Sequence, residues 1–332
     1  MLPIRNRLCF QGRFFCGCLF SLFFCLSVML FFGYNRLMQG FLFQLIVGYF
    51  SHMSLKRSHQ WAGFVGRMVW RWSEKQRRIT LTNMKLCYPN LSDQEQEALA
   101  KAALIETVKT FFELGRVWKK HAKDIDGLVV NVNGKSILDE AFAEGKGVLL
   151  AAPHFGNWEV LNLWLARYKP FSFLYKPPEN KKIEQLLLQY RGQSGANQIT
   201  ADKKGVRQII QSLKNKHLMA ILPDQQPKAG QGVHVDFMGQ SAYTMSLFSK
   251  IAAKTDVPVV MAVAERLPDG MGFDIHIKRL GKAIYQIDKS GVTYMNQAIA
   301  EMVSINPAQY QWTYRRFSIQ ADGSKPYRQP GV

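Results

Sequence analysis

His154 and Glu159 stand five residues apart in the string His154-Phe155-Gly156-Asn157-Trp158-Glu159. An imidazole beside a carboxylate makes a two-residue base. The carboxylate holds one ring tautomer and stabilises the imidazolium, and the other ring nitrogen takes a proton from a hydroxyl. Such a base suits the activation of an alcohol against an acyl donor. On an unbroken helix, positions five apart point about 140° away from each other. The two side chains can meet only if His154 sits on a loop and curls back over a helix that carries Glu159, which the flanking Pro153 and Gly156 permit. The plainer alternative is a histidine capping a helix, with a surface glutamate nearby.

The elements around this pair follow from pattern. Val148-Leu149-Leu150-Ala151-Ala152 is an uninterrupted apolar run bounded by Gly147 and Pro153, which reads as a buried strand. After the short polar turn, Trp158, Leu161, Leu163 and Leu165 read as a helix. His154 therefore stands where a strand ends and a helix begins, the place where open α/β sheets bind ligands. Further strands are predicted at 127–132, 171–175, 217–222, 232–237, 257–264 and 273–278. Helices are predicted near 135–144, 157–167, 180–193, 203–214, 244–255 and 290–304. This alternation predicts an α/β fold with a mostly parallel central sheet flanked by helices. Ser92 and Glu95 form a capping box that starts a long packing helix reaching about Lys120.

Other residues could join the base. Pro223-Asp224-Gln225 follow the strand at 217–222, a strand exit like the one that holds His154. Asp224 there orders a site through hydrogen bonds or is simply a turn aspartate. Arg191 ends a helix. Its planar fork suits an anionic group or developing oxyanion charge, though alone it would be an ordinary surface cation. Backbone N–H groups near Phe155–Asn157, at a helix N-terminus, are the expected oxyanion donors. The other histidines, His52, His59, His121, His217, His234 and His276, have no carboxylate at a telling spacing and receive no role. There is no Gly-x-Ser-x-Gly elbow, no phosphate-binding glycine loop and no His-Glu-x-x-His. A serine acyl-enzyme, nucleotide chemistry and metal chemistry are thus not indicated, and no cofactor is expected.

Charge and hydropathy point to a membrane. Lys and Arg number 43 against 24 Asp and Glu, a net charge of +19 in 332 residues. Residues 1–90 hold 12 Lys/Arg and a single acid, Glu74. Basic residues beside apolar segments suit an anionic membrane surface; no motif for DNA or RNA is present, so nucleic acid is not an expected partner. Residues 14–35 carry no charge, and 22 residues of helix would measure about 33 Å, enough to cross a bilayer core. A cleaved signal peptide is the alternative, but no small-x-small cleavage site follows promptly. Residues 37–53 form a second uncharged stretch, marginal for spanning. Residues 58–74 read as an amphipathic helix whose Trp61, Phe64, Val65, Met68, Val69 and Trp72 form either a core stripe or a membrane face. The five cysteines, Cys9, Cys16, Cys18, Cys25 and Cys87, suggest neither a disulfide framework nor a zinc site. Four regions result: a membrane-anchoring segment at 1–55, a basic helical region at 56–126, an α/β core at 127–320 and a loosely ordered tail at 321–332.

A His-x4-Asp/Glu motif after a strand is the signature of glycerolipid-type acyltransferases. The longer string His154 to Glu159 resembles the late acyltransferases of lipid A biosynthesis, the lauroyl/myristoyl transferases of the lysophospholipid acyltransferase-like superfamily. Further matches follow in order: Arg77-Arg78 with Asn83 and Pro89, Arg191-Gly192, Pro223-Asp224-Gln225, and Gln311-Trp312 with Arg315-Arg316-Phe317. The resemblance spans roughly residues 40 to 320. It implies His154 and Glu159 as catalytic residues, with Asn157, Arg191, Asp224 and Gln225 binding substrate and no metal. It further implies a donor thioester on acyl carrier protein (or acyl-CoA) and a phosphorylated glycolipid acceptor. The expected location is the inner membrane of a Gram-negative bacterium, with the catalytic domain on the cytoplasmic side. The alternatives are the same chemistry on an aminolipid or another glycolipid, and a non-catalytic membrane lipid-binding protein on this scaffold.

Overall fold

The structure, a computed structural model, describes residues 44–328 apart from residues 46, 120, 121, 169 and 179. Residues 44, 45 and 47–51 are helical, and three helices follow: α1 (Leu55–Trp72), α2 (Glu74–Cys87) and α3 (Asp93–Trp118). Serines set their boundaries. The Ser54 side chain accepts from the Arg57 N–H at the start of α1, and Ser73 ends α1 while accepting from the Gln76 N–H of α2. Ser92 and Glu95 make the expected reciprocal capping box on α3. The α2 helix was not anticipated, because its mixed polar sequence carries only a weak apolar stripe.

Alternating strands and helices follow: β1 (Val129–Asn133), α4 (Lys135–Ala143), β2 (Val148–Ala151), α5 (Trp158–Leu165), β3 (Phe171–Tyr175), α6 (Lys181–Gly192), β4 (Asn197–Thr200), α7 (Lys203–Lys214) and β5 (Leu218–Ile221). A hairpin, β6 (Gly232–Phe237) and β7 (Gln240–Met245), precedes α8 (Leu247–Thr255), β8 (Val259–Arg266), β9 (Phe273–Arg279) and α9 (Lys289–Val303). The main sheet has seven strands in the order β1-β9-β8-β2-β5-β3-β4. Strands β8, β2, β5, β3 and β4 run parallel. β9 turns back antiparallel on β8, and β1 pairs parallel with β9, so these two run against the rest. The α/β expectation therefore holds, with two reversed strands at one side of the sheet.

Strand β2 sits at the centre of the sheet, and all four of its residues are buried. Val148 and Leu150 enter one apolar cluster, with α4 and α5; Leu149 and Ala151 enter the other, with α2, α3, α7, α8 and α9. Burial on both faces explains why the strand reads as a continuous apolar run rather than an alternating one. Truncating such a residue, as in Leu150→Ala, typically costs about 2–5 kcal/mol.

Two strands escaped the sequence reading. β4 is an edge strand in which only Ile199 is buried, so it lacks an apolar signature. β7 falls mostly in the stretch left unassigned between the strand predicted at 232–237 and the helix predicted at 244–255, whose first two positions it occupies. It pairs with β6 through a turn in which Met238 and Gly239 both have positive φ, of 54° and 80°. Among the described residues no helix is long and apolar enough to cross a membrane. The anchoring stretch 14–35 and the first part of 37–53 lie outside the described residues. In the described part of the tail, residues 321–325 are exposed, whereas Tyr327 is buried and its hydroxyl accepts from the Phe317 N–H at 3.1 Å.

Candidate active site

Strands β2 and β5 are paired in register, Ala151 opposite Ile221. Each chain then leaves the sheet through a Pro-containing turn, one carrying His154 and the other Asp224. The side chains converge there. His154 Nδ1 lies 2.8 Å from Asp224 Oδ1, and the His154 backbone N–H donates to Asp224 Oδ2 at 2.9 Å. One buried carboxylate thus grips both the imidazole and the main chain that bears it. With Nδ1–H donating to Asp224, Nε2 is left as the acceptor. The Gln225 side-chain N–H approaches that nitrogen at 3.3 Å and also donates to Gln311 Oε1 at 3.2 Å. The Gln311 backbone N–H donates to the His154 carbonyl at 3.0 Å, which fixes the same loop from the other side.

Asp224 is 2% exposed. Burial opposes its ionisation. The His154 charge and hydrogen bonds, with the Arg316 charge, outweigh that and hold the carboxyl below its ordinary value. Tyr310, buried beside this carboxylate, is pushed well above the usual phenol range by burial and by Asp224, so it stays a neutral hydroxyl.

Glu159 does not complete this pair. The carboxylate on His154 is that of Asp224, and Glu159 is bound to Arg191. Arg191 Nε lies 3.0 and 3.2 Å from the two Glu159 oxygens, and Nη2 also contacts Oε1. The guanidinium rests over the Phe173 ring, 5.7 Å from its centroid. Burial works against the Arg191 charge, but Glu159 outweighs it and raises the group above its ordinary value. Glu159 is on the first turn of α5, whose helical direction carries it away from the loop holding His154 and toward the end of α6. Arg191, expected to await an anionic group, thus already holds a protein carboxylate.

Asn157 also differs from expectation. It is fully buried, its Oδ1 accepts from the N–H groups of Glu159 and Val160, and its Nδ2 donates to Glu113 Oε2 at 2.8 Å. It is the N-cap of α5 and a strut to α3, with both ends of its amide used inside the protein. Glu113 is itself wholly buried and accepts from His59 at 2.6 Å and from Arg266 Nη2 at 2.7 Å. Burial opposes the charge on Glu113, yet Arg266 and His59 hold its carboxyl down to about 2. Arg266 further binds Glu106 and Thr110, and the Thr110 hydroxyl donates to the Gly156 carbonyl at 3.0 Å. The loop from His154 to Asn157 is therefore bolted to α3 by a buried ionic cluster.

The backbone N–H groups expected to form an oxyanion hole are occupied. Phe155 N–H donates to the Pro153 carbonyl, Gly156 N–H to Gln309 and Asn157 N–H to Ala264. Gly156 is required here: its φ is +55°, and a Cβ would lie 1.9 Å from the Ala264 oxygen. The donor nearest Nε2 is instead the Gln225 side chain. Arg316 also turns inward, with Nη1 donating to the Tyr243 carbonyl of β7 at 2.9 Å, and Asn83 Nδ2 holds the Trp312 carbonyl at 2.6 Å. These two motif residues tie the C-terminal segment to the core. Among the described residues no group of three or more His, Cys, Asp or Glu is placed to hold a metal ion.

Sequence reasoning missed His59, Glu113, Arg266 and Tyr310, and it placed Gln311 in a motif without giving it a role. His59 and Glu113 are 54 positions apart and Glu113 and Arg266 are 153 apart, separations that no local spacing rule reads. Asp224 did carry a signal. Pro153-His154 and Pro223-Asp224 stand at matching distances past two apolar strands, and paired parallel strands bring matching exits together.

The family model for bacterial lipid A biosynthesis acyltransferases matches residues 37–318. The chain is 25% identical over 263 residues to the lipid A biosynthesis lauroyltransferase of Escherichia coli (strain K12), covering 78% of this chain and 84% of that protein. It is 23% identical over 267 residues to the lipid A biosynthesis palmitoleoyltransferase of the same organism, covering 78% and 84%. A shorter match, 24% over 162 residues, reaches the phosphatidylinositol mannoside acyltransferase of Mycobacterium tuberculosis (strain CDC 1551 / Oshkosh), covering 48% of this chain and 50% of that protein.

Proposed function

This chain belongs to the family of bacterial lipid A biosynthesis acyltransferases, and from that premise we propose that it moves a fatty acyl chain from an acyl-carrier-protein thioester to a hydroxyl of a hydroxyacyl chain on a lipid A precursor. The observation that carries the chemistry is the 2.8 Å contact between His154 Nδ1 and Asp224. It leaves the Nε2 lone pair as the acceptor for a hydroxyl proton. The acceptor hydroxyl displaces the Gln225 amide from Nε2 and gives its proton to the imidazole as its oxygen attacks the thioester carbonyl carbon. Asp224 balances the imidazolium that forms. The carbonyl oxygen takes up negative charge, and the displaced Gln225 N–H is the nearest side-chain donor to receive it. Collapse of the tetrahedral intermediate breaks the C–S bond. The departing thiolate takes the proton from Nε2, and the ester and free carrier thiol leave.

Glu159 and Arg191 have a supporting role in this scheme. Their bidentate pair clamps the start of α5 to the end of α6 and so fixes the wall beside the base. The reaction needs no cofactor. The enzyme works at the inner membrane of a Gram-negative cell, with its catalytic domain on the cytoplasmic side where carrier protein is found.

A second acceptor class, a glycosylated phospholipid, gains some support from the match to a phosphatidylinositol mannoside acyltransferase. The purified full-length protein, given carrier protein bearing a labelled acyl chain, should label a phosphorylated lipid A precursor far faster than a mannosylated phospholipid. Labelling of the mannosylated lipid alone would move the proposal to that acceptor. Label appearing only as free fatty acid would remove the transferase reading.

A further inference from the structure

Helix α1 has two unlike faces. The buried one is made of Leu55, Ser58, His59, Ala62, Gly63, Gly66 and Trp70. Small residues let α3 approach closely: a Cβ on Gly66 would meet Ile105 at 2.9 Å. The outward face carries the large aromatics. Trp61, Phe64 and Trp72 are 43%, 37% and 60% exposed, so the core-stripe reading of these side chains does not hold. At about 100° per residue, Trp61, Phe64, Met68 and Trp72 lie within roughly 80° of arc, with Arg57 among them. Lys56, Arg67 and Arg71 form the adjoining flank.

The whole helix contains no acidic residue. Among the described residues no carboxylate lies within salt-bridge distance of Arg57, Arg67 or Arg71. An outward helix face in water is normally polar and mixed in charge. Bulky aromatics beside unopposed cations are instead the composition of a helix lying in a headgroup layer, where indole rings sit at the interface and arginines meet phosphates. An acidic protein partner would match the cations but not the exposed aromatic surface beside them.

We propose that the outward face of α1 rests in the headgroup layer of an anionic phospholipid bilayer. This contact is separate from any anchor within residues 1–55, and it accords with a lipid acceptor without depending on the acyl-transfer reading. The inner face of the same helix places His59 on Glu113, which holds Asn157 at the cap of α5. The membrane-facing surface and the base are therefore fixed to one buried cluster, and docking α1 sets the height and tilt of His154 above the bilayer.

The test uses full-length protein with p-benzoylphenylalanine in place of Trp61, in vesicles of phosphatidylglycerol and phosphatidylethanolamine. A second variant carries the same label at Ile287, which is 68% exposed near the start of α9. Irradiation should give a phospholipid adduct at position 61 and little at position 287. The yield at 61 should fall several-fold when phosphatidylcholine replaces phosphatidylglycerol, and again in the Arg57→Gln, Arg67→Gln, Arg71→Gln protein. An adduct to carrier protein, to a second copy of the chain or to its own residues 1–42 would overturn the proposal. So would equal yields at the two positions, or none at 61. Near-ultraviolet circular dichroism of the same samples tells a folded protein that does not dock from a misfolded one. Should the Trp61 variant misfold, the label at Arg67 repeats the test.

Discussion

His154 and Asp224 face each other because the strands that deliver them, β2 and β5, are register partners. Each residue stands just past a proline at the same strand end. The carboxylate spends one oxygen on the imidazole and the other on the backbone N–H of the histidine. Asp224→Asn keeps the size of the side chain and one acceptor oxygen but removes the charge that balances an imidazolium. Acyl transfer should fall by about 10²–10⁴, the range expected for a general base that has lost its function, with little change in unfolding midpoint. Single-turnover transfer from labelled carrier protein measures the rate. A variant within a few-fold of the parent would show that the charge is not used.

Glu159 and Arg191 should behave as a pair in stability. Both are largely buried, with side-chain exposures of 3% and 17%. Removing one partner leaves the other charge in a low-dielectric site, a loss of about 3–5 kcal/mol. Glu159→Ala and Arg191→Ala should each destabilise strongly, and the double variant less than the sum of the two. Arg191→Lys keeps charge but not the fork, and it should recover only part of the loss. Denaturant unfolding of the four proteins gives the coupling. Additive losses would mean that the contact contributes little.

Glu113 ties acid stability to the site. Its carboxyl falls from an ordinary 4.5 to about 2 in the folded protein. A depressed folded value contributes stability that is fully present above about 4.5 and is lost as pH falls through about 2. The shift corresponds to roughly 3 kcal/mol, at about 1.4 kcal/mol per pH unit. Stability measured between pH 5 and 2 (an interval chosen to bracket those values) should therefore drop in the parent protein. Glu113→Gln should be less stable at neutral pH, because Arg266 keeps only Glu106 of its two carboxylate partners, and should show a flatter pH slope. An unchanged slope would place the acid sensitivity elsewhere.

The readable parts of this molecule were those written in local pattern. The apolar run before Pro153 gave β2, the glycine at 156 gave the tight turn, and Ser92 with Glu95 gave the start of α3. Paired exits at Pro153 and Pro223 even foreshadowed the His154–Asp224 contact. The motif spacing misled on one point: five residues of separation suggested that Glu159 touches His154. Yet α5 begins at Trp158, and the first helical turn points Glu159 to Arg191 instead. The Glu113 cluster was illegible because its members sit on α1, α3, the α5 cap and β8, and only tertiary packing brings them together. Edge strand β4 was missed because a strand with one buried residue has no period to read.

Gly156→Ala probes how tightly the loop is held. The added methyl would overlap the Ala264 carbonyl oxygen, and φ is positive, so neither the space nor the backbone conformation suits an L side chain. The Gly156 and Asn157 N–H groups are hydrogen-bonded to Gln309 and Ala264 on either side. Relief must move the loop and with it His154. The substitution should lower stability by more than about 1 kcal/mol and reduce transfer even in the fraction that folds. Full activity with an unchanged melting temperature would show a looser loop than these contacts describe.

Gln225 separates two accounts of the resting site. Its amide N–H sits 3.3 Å from the lone pair of His154 Nε2, and Gln311 Oε1 holds it at 3.2 Å. If this contact only occupies the base until substrate arrives, removing the amide should help: Gln225→Ala would bind acceptor at least as well, with kcat unchanged or higher. If the displaced N–H then follows the charge onto the thioester oxygen, Gln225→Ala should leave KM for the acceptor nearly unchanged and lower kcat by about 10²–10³, the usual cost of one lost oxyanion donor. The second outcome is expected, because the Phe155, Gly156 and Asn157 N–H groups are already bound to carbonyls. Gln225→Glu sharpens the contrast. It is nearly isosteric but cannot donate when ionised, and it would repel the developing oxyanion. It should be slower than Gln225→Ala, whereas a residue that merely fills space would tolerate the change. Gln311→Ala should show a smaller kcat loss of the same kind, since it removes the acceptor that aims the amide and not the donor itself. A kcat in Gln225→Ala equal to that of the parent would assign the oxyanion to another donor and leave Gln225 as a plug for the base.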